Sequence, residues 1–217
     1  MWWAAPVAPE DAPGLVGLLD AHERERLVRF RRPDDRARYL AAHALARLVL
    51  GGDGATAAAL VFDRTCRCGA VHGKPVVPGG PGFSLTHGGG LVGVAVRPDG
   101  AVGLDVEQVR PVADLAALAE HVYSPVELAR TLPVDRTRFF RSWTRKEALL
   151  KATGDGLARP MSTITLADDG TVEDGPAPGP MWLRDLAPAP DHPAAVAGPG
   201  VATPEIVEAD GDAVLRG

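Results

Sequence analysis

The sequence predicts an α+β fold made of two similar halves. Two observations carry this prediction: helical periodicity precedes strand-like segments twice along the 217-residue chain, and both strand groups end in short apolar runs, at residues 91–96 and 192–197. We therefore expect a first half over residues 1–104, a second half over residues 105–200 and a frayed tail over residues 201–217.

The first half begins with two predicted helices. Apolar spacing predicts one over residues 15–30. Pro33, followed by two aspartates, begins a second helix, because proline suits the first helical position and acids suit the positive end of the helix dipole. Gly51 and Gly52 end that helix.

Loop and strand patterns follow. Residues 63–82 are rich in glycine, proline and charge, which predicts a loop. Residues 91–96 and 101–106 are apolar strand-like runs on either side of the turn sequence at residues 97–100. This arrangement predicts a β-hairpin.

The second half repeats the order of helices before strands. Ser124, Pro125 and Glu127 form a capping-box sequence with an N1 proline. A longer helix is predicted over residues 135–153, ended by Gly154. The strand-like pieces that follow are residues 163–166, 182–184 and 194–197.

Composition describes a globular protein and excludes several classes. Hydrophobic residues make up 46% of the chain and charged residues 24%, enough for a sizeable core. The net charge of -5 argues against a general nucleic-acid binder, which would be basic. Residues 1–6 do not resemble a signal peptide, and no apolar run is long enough to span a membrane. We expect a cytoplasmic protein without nucleic-acid or membrane partners.

The two cysteines, Cys66 and Cys68, are too close for a comfortable disulfide. A zinc site would need His72 and one more ligand, and the second Cys-x-x-Cys pair of a zinc ribbon is absent. Thiols in a reducing compartment are the expectation.

Two carboxylates fall on one face of a predicted strand. Period-two alternation over residues 103–107 separates Leu104 and Val106 from Asp105 and Glu107, whose Cα atoms are then roughly 6.5 Å apart. A half-exposed strand with solvated acids would produce the same pattern. Paired acids also suit Mg2+, which binds a few carboxylates together with substrate phosphates.

A second charged pair interrupts the aromatic face of the helix over residues 135–153. At 100° per residue, Lys146 and Glu147 lie within roughly 60° of Trp143 and share an arc with Phe139 and Phe140. An ion pair that steadies helix packing is one interpretation. A third acidic ligand beside phosphate-binding lysines is the other.

Thr86 and His87 precede three consecutive glycines, residues 88–90. A hydroxyl, an imidazole and glycine N–H groups in this order can approach a phosphate closely. A plain turn would give the same sequence.

Taken together, these segments resemble the ordered motif set of Sfp-type 4'-phosphopantetheinyl transferases. The most specific part is G-x-D-x-E at residues 103–107 followed by W-x-x-K-E-A-x-x-K at residues 143–151. The resemblance covers residues 22–157 and includes segments 38–41, 73–75, 83–88 and 154–157.

The resemblance implies a pseudo-twofold fold with coenzyme A in the cleft between two halves. The positions that match magnesium ligands are Asp105, Glu107 and Glu147. The positions that match contacts to coenzyme A are Arg26, Arg38, Lys74, Thr86, His87, Asp105, Lys146 and Lys151. One departure is Glu23, where the family often has a basic residue, so binding there would shift to Arg24 or Arg29.

The activity implied is magnesium-dependent transfer of phosphopantetheine from coenzyme A to a serine of an apo acyl or peptidyl carrier protein, releasing 3',5'-ADP. Glu147 is the expected base and Lys151 the expected stabiliser of charge on the leaving group. The resemblance also implies a monomer that serves polyketide, nonribosomal-peptide or other secondary metabolism. The carrier would contact the helix around residues 124–132, with Val126 and Leu128.

Two other functions use the same acids. A magnesium-dependent phosphohydrolase would not need the Thr86-His87 and Lys74 motifs. A non-catalytic coenzyme A binding protein would be expected to lose one of Asp105, Glu107 or Glu147, and all three are present.

Overall fold

The computed structural model of the protein describes residues 1–66, 69–131 and 133–217, and for His72 and Leu157 the backbone alone. Its α-helices are α1 Pro13–Leu18, α2 Ala21–Arg29, α3 Pro33–Gly51, α4 Gly54–Ala59, α5 Leu115–Val122, α6 Pro125–Thr131, α7 Arg136–Thr153 and α8 Gly211–Arg216. Its strands are β1 Trp2–Ala4, β2 Asp63–Thr65, β3 Val71–Val76, β4 Gly82–Gly88, β5 Leu91–Arg97, β6 Gly103–Val106, β7 Thr165–Leu166, β8 Val172–Asp174, β9 Met181–Ala189, β10 His192–Pro199 and β11 Ala209–Asp210.

The strands form two main sheets. One sheet has the order β11-β1-β5-β4, with β11 parallel to β1, and the other has the antiparallel order β6-β10-β9. β2 pairs with β3, and β7 pairs with β8, as two-stranded units. The α+β prediction is confirmed. The order β1-β5-β4 recurs as β6-β10-β9, and α-helices follow the first strand in each case, four after β1 and three after β6.

The predicted hairpin of residues 91–96 and 101–106 is wrong. β5 pairs with β4 and β1, whereas β6 pairs with β10 in the other sheet. The turn sequence is used, with Gly100 at φ 122°, but it carries the chain between sheets. The predicted boundary between residues 104 and 105 therefore falls inside β6.

The ends of the two long helices follow their local signals, as predicted. α3 begins at Pro33 and is followed by Gly52 at φ 81°. The side chain of Asp135 caps the start of α7, and Gly154 follows its end in the left-handed conformation. α3 packs on β4 and β5, and α7 packs on β6 and β10, so each sheet has one long helix across it.

The helix predicted over residues 15–30 is two helices, α1 and α2. Asp20 lies between them, where its side chain accepts the N–H of Glu23 while Glu23 accepts the N–H of Asp20. This reciprocal capping box starts a new helix at residue 21. The capping box predicted at Ser124 and Glu127 is confirmed, with N–H donors 2.6 Å and 3.3 Å from their acceptors.

Two regions predicted without regular structure contain strands or a helix. Residues 63–82 hold β2 and β3 rather than a loop. The tail predicted over residues 201–217 includes β11, which adds to β1, and α8, which packs against α3. Val214 and Leu215 pack against the cores beneath α3, so apolar burial holds this segment in place.

The capping-box glutamate of the first half binds a fully buried arginine. Arg47 of α3 donates to Glu23 at 2.7 Å and to the carbonyl oxygens of Ala57 and Leu60 at 3.0 Å each. Burial acts to raise the pKa of Glu23, but hydrogen bonds and charges from His43 and Arg47 lower it to about 2. Glu23 is therefore ionised inside the protein and holds α2 against α3.

The second half has the same buried ion pair with a capping-box glutamate, and its cation is a lysine. Lys146 of α7 has no exposed side-chain surface and donates to Glu127 at 2.5 Å. It also donates to the carbonyl oxygens of Met161 and Ile164, which are three residues apart like the two carbonyl partners of Arg47. Because both cations hold a capping-box glutamate, Arg47 and Lys146 occupy corresponding places in the two halves.

Candidate functional site

The three predicted acidic ligands come from β6 and α7. Asp105 lies in β6, Glu107 follows that strand, and Glu147 lies on α7. Gly103 allows the two elements to touch, because a Cβ at that position would lie 1.9 Å from the carbonyl oxygen of Ala148. The close approach brings the carboxylates of strand and helix together.

Asp105 is buried and held by one of its two oxygens. Lys151 Nζ donates to Oδ1 at 2.7 Å, and Thr86 Oγ1 donates to the same oxygen at 3.1 Å. Oδ2 is buried without a hydrogen-bond partner among the described residues. Burial raises the pKa of Asp105 above its usual range, against the opposing charge of Lys151.

Glu147 and Glu107 lie within electrostatic range of Asp105. Burial and then the charge of Asp105 raise the pKa of Glu147, with Lys151 opposing and Glu107 adding to the rise. Arg110 donates to Glu107 at 2.8 Å. The structure thus brings the three predicted acids into one cluster.

The donor set fits a hard divalent cation such as Mg2+. At the present side-chain positions, no group of three or more His, Cys, Asp or Glu residues in the described ranges has the geometry to hold a metal ion. The chemistry nevertheless matches, because three carboxylates repel one another and one buried oxygen of Asp105 lacks a partner. A cation would offset the repulsion between the carboxylates and would bind the unpartnered oxygen of Asp105.

Lys151 and Lys74 lie one behind the other. Besides Asp105, Lys151 Nζ donates to the carbonyl oxygen of Leu104 at 3.0 Å. Lys74 Nζ donates to the carbonyl oxygens of Val102 at 2.6 Å and of Lys151 itself at 2.9 Å. Burial and then the charge of Lys151 lower the pKa of Lys74 to about 8. Lys74 thus joins β3 to β6 and to the end of α7.

A cationic cavity of about 330 Å3 lies between α2, α3 and β3. Arg26 and His87, two of the predicted coenzyme contacts, line it, and no acidic side chain in the described part of the chain pairs with Arg26. Its remaining lining residues are His22, Phe30, Tyr39, His43, Arg64, Val71, Gly73, Pro75 and Leu85. Guanidinium and imidazole groups over an aromatic floor suit a phosphorylated nucleotide.

His87 connects this cavity to the carboxylate cluster. Desolvation, followed by the positive charges of Lys151, His43 and Arg38, lowers the pKa of His87 to about 4. Arg38 donates to Asp35 at 2.6 Å and to the carbonyl oxygen of Gly89 at 3.0 Å, so it also holds the glycine turn after β4. An anion beside His87 would meet positive charge from both sides.

Six of the eight predicted coenzyme contacts do not line the cavity: Asp105 and Lys151 lie in the carboxylate cluster, Arg38 holds the turn at Gly89, and Lys146, Lys74 and Thr86 have other contacts. Lys146 is enclosed in the second core, where Glu127 and backbone carbonyls use its donors. Lys74 lines a different cavity together with Val76, on the opposite face of β3 from Pro75, because side chains alternate along a strand. Thr86 is buried at 3% exposure, and its hydroxyl binds Asp105 and a backbone N–H of β6.

Sequence reasoning missed several residues of the cavity. Tyr39 and His43, four residues apart on α3, stack with ring centroids 4.0 Å apart, and His43 Nδ1 lies 2.9 Å from Glu23. Arg64 of β2 binds the same carboxylate at 2.7 Å. The available signal was a histidine on an otherwise apolar helical face. Glu23 itself is buried, so it does not reduce binding at the surface of α2 as its sequence position implied.

Some predictions remain without a structural answer. Cys68 and the side chain of His72 lie outside the described residues, so the zinc interpretation of that segment is not addressed. Within the described helices, none combines the length and apolarity that a bilayer crossing requires.

Comparisons with known proteins converge on one family. Residues 101–186 match the family model described as the 4'-phosphopantetheinyl transferase superfamily. The chain is 35% identical to 4'-phosphopantetheinyl transferase HetI of Nostoc sp. over 203 residues, covering 90% of this chain and 85% of the relative.

Two Bacillus proteins show the same likeness. The chain is 38% identical to psf-1 of Bacillus pumilus over 54% of each protein, and 24% identical to Sfp of Bacillus subtilis over 88% of this chain and 87% of Sfp. Both are 4'-phosphopantetheinyl transferases. Among solved structures, a holo-ACP synthase from Plasmodium yoelii superposes with a TM-score of 0.37 at 17% identity, over 45% of this chain and 91% of that one.

Proposed function

The chain belongs to the 4'-phosphopantetheinyl transferase family, and from this premise we propose that it moves phosphopantetheine from coenzyme A to a carrier-protein serine. The reaction releases 3',5'-ADP and requires Mg2+. One observation carries the proposal: β4 lies between the two sites, because His87 lines the cavity and its neighbour Thr86 donates to Asp105 of the carboxylate cluster at 3.1 Å. A nucleotide in the cavity would therefore have its pyrophosphate next to the acids.

The first half, residues 1–104, binds the nucleotide. Arg26 and His87 contact phosphate groups from opposite sides of the cavity, and Arg38 adds a further positive charge near His87. Tyr39 and Phe30 offer an aromatic floor, with ring centroids 5.1 Å apart. With a pKa of about 4, His87 is neutral at pH 7 in the free protein. A phosphate in the cavity accepts a hydrogen bond from the ring N–H and raises that pKa.

The second half, residues 105–200, carries the reacting groups. Asp105, Glu107 and Glu147 would hold Mg2+, which neutralises charge on the pyrophosphate when bound. Glu147, whose pKa is raised, accepts the proton of the carrier serine as its oxygen bonds to the β-phosphorus. The bond from that phosphorus to the bridging oxygen breaks, and Lys151 offsets charge on the departing 3',5'-ADP.

The carrier contacts the second half, and we place that contact on α6. Val126 is 54% exposed, whereas Leu128 packs against the core beneath α7, and the predicted contact at Leu132 lies outside the described residues. The proposal includes a cytoplasmic monomer that acts on acyl or peptidyl carriers of polyketide, nonribosomal-peptide or related pathways.

The test is transfer to a panel of apo carrier proteins in the presence of coenzyme A and Mg2+. We expect the mass of phosphopantetheine on one serine and an equal amount of 3',5'-ADP. Asp105→Asn and Glu147→Gln should each reduce the rate by at least about 100-fold and keep coenzyme A binding, whereas Glu173→Gln, an exposed acid of β8, should match the wild type.

Two outcomes would replace the proposal. Release of 3',5'-ADP or phosphate without any carrier would indicate a phosphohydrolase. Coenzyme A binding with no transfer to any carrier would indicate a binding protein.

A further inference from the structure

β6 has one edge that no strand of the described residues pairs with. Its backbone pairs with β10 on one side, and β4 lies on the other side with its own backbone paired to β5. Two hydroxyl side chains of β4 accept the backbone N–H groups that a neighbouring strand would otherwise bind. Ser84 Oγ accepts the N–H of Leu104 at 3.0 Å, and Thr86 Oγ1 accepts the N–H of Val106 at 3.2 Å. Both hydroxyls are buried, with 3% exposure.

Spacing makes this arrangement possible. Ser84 and Thr86 are two residues apart on β4, and so are the N–H groups of Leu104 and Val106 on β6. Because side chains alternate along a strand, both hydroxyls point to the same side. They join the two main sheets along the strand that carries Asp105.

Thr86 makes a second contact that Ser84 does not. Its hydroxyl has one proton, which it donates to Asp105 Oδ1 at 3.1 Å while its oxygen accepts the N–H of Val106. Lys151 donates to the same Oδ1, so that oxygen is occupied twice and Oδ2 is left without a partner. The hydroxyl proton of Thr86 is thus already donated to Asp105. It is not available to a nucleotide phosphate, which accepts hydrogen bonds.

We propose that Ser84 and Thr86 are positioning residues: they hold β6, and Thr86 fixes the Asp105 carboxylate so that Oδ2 is the oxygen presented to the reaction site. This rests on the proposed function in assigning Asp105 to that site. Thr86 then acts through Asp105 and makes no contact with the nucleotide.

The test compares three variants. Thr86→Val keeps the shape and loses the hydroxyl, Thr86→Ser keeps the hydroxyl, and Ser84→Ala removes only the backbone contact. For Thr86→Val we expect kcat to fall, and the Mg2+ concentration for half-maximal activity to rise, by about 10-fold or more. Its Kd for 3',5'-ADP without metal should stay within about twofold of the wild type, and Thr86→Ser should restore kcat and the Mg2+ requirement.

A nucleotide contact would give the opposite result. Thr86→Val would then bind metal-free 3',5'-ADP about 10-fold more weakly with an unchanged Mg2+ requirement, and the proposal would fail. Ser84→Ala should leave the Mg2+ requirement closer to the wild type than Thr86→Val does, because Ser84 does not touch Asp105.

Amide hydrogen exchange tests the same idea without any activity. The Val106 amide should exchange about 10-fold faster in Thr86→Val and retain its protection in Thr86→Ser, and the Leu104 amide should respond to Ser84→Ala. Unchanged exchange in these variants would overturn the strand-holding role. If Thr86→Val does not fold, Thr86→Ala supplies the same comparison. A protein with no transferase activity but with these exchange changes would refute the proposed function and leave the role of the hydroxyls standing.

Discussion

The two halves share a framework but differ in the charge of one cavity. In the first half, Arg26 follows the capping-box Glu23 by three residues and faces a cavity without an acidic partner from the described chain. In the second half, Arg130 follows Glu127 by the same spacing and lines a cavity of about 420 Å3, but it pairs with Glu173 at 2.9 Å. Corresponding arginines therefore have different neighbours.

Two of the other three arginines of the second cavity are paired too, and Arg141 lines it without an acidic partner among the described residues. Arg138 pairs with Asp168 at 2.6 Å, and Arg145 makes two bonds to Asp185 at 2.6 Å and 2.7 Å. An anion there would compete with three carboxylates for Arg130, Arg138 and Arg145, and would find one arginine without such a partner, as it would with Arg26 in the first half. The second cavity therefore contains more paired arginines than the first, which favours the first as the proposed nucleotide site.

The acids show the reverse asymmetry. The residue after the buried cation is Leu48 in the first half and Glu147 in the second. The central residue of β1 is Trp3, which lies against Gly93 and Leu104, while the corresponding strand β6 carries Asp105. The carboxylate cluster is therefore built from residues of the second half.

Replacing the two buried cations tests whether they contribute equally to the free energy of unfolding of the two halves. Arg47→Met and Lys146→Met each leave a capping-box glutamate buried without its main partner, so each should lower the free energy of unfolding by about 3–5 kcal/mol in urea titrations. The exposed control, Arg141→Met, should change it by about 0.5 kcal/mol or less.

A result below about 1 kcal/mol for only one of the two would break the correspondence between the halves. A loss of transfer in Lys146→Met without loss of stability would instead support the coenzyme contact that its sequence motif implied.

Helix ends and turns could be predicted from the sequence only where local signals were unambiguous. The capping box at Ser124 was recognised because proline follows the serine, whereas the one at Asp20 was missed because apolar spacing continues through it. The turn at residues 97–100 was real, but sequence does not state which strand becomes the partner of β6. That choice depends on α7, which packs over Gly103 and is distant in sequence.

The site divides in the same way. Asp105, Glu107 and Glu147 stood out as acids in apolar strand and helix patterns, which alone left solvated acids or a packing ion pair open, and the order of the family motifs then indicated a metal site. Lys146 breaks its pattern just as visibly, yet its partner is Glu127, which only the fold brings near. The contributions of His43 and Arg64 depend on tertiary contacts with Glu23, which carry no sequence signature.

The cavity comparison can be sharpened with matched arginines. Arg26→Ala should weaken binding of 3',5'-ADP by about 10- to 100-fold, because it removes a charge-assisted hydrogen bond to phosphate. Arg130→Ala should change it by about twofold or less, because that arginine is already paired and lies in the other half. Isothermal titration calorimetry of both variants measures this. Equal losses would mean that the nucleotide spans both cavities.

The smallest expected effect comes from making the second cavity resemble the first. Asp168→Asn with Glu173→Gln removes the exposed partners of Arg138 and Arg130 and leaves both guanidinium groups in place. At 10 mM phosphate we expect the melting temperature of this double variant to rise by about 1 °C more than that of the wild type, the shift for a site with Kd of about 10 mM. Adding Arg141→Ala should remove the gain, because Arg141 lines the same cavity. If the double variant gains nothing, pairing by acids is not what keeps anions out of the second half, and the shape of the cavity must do so.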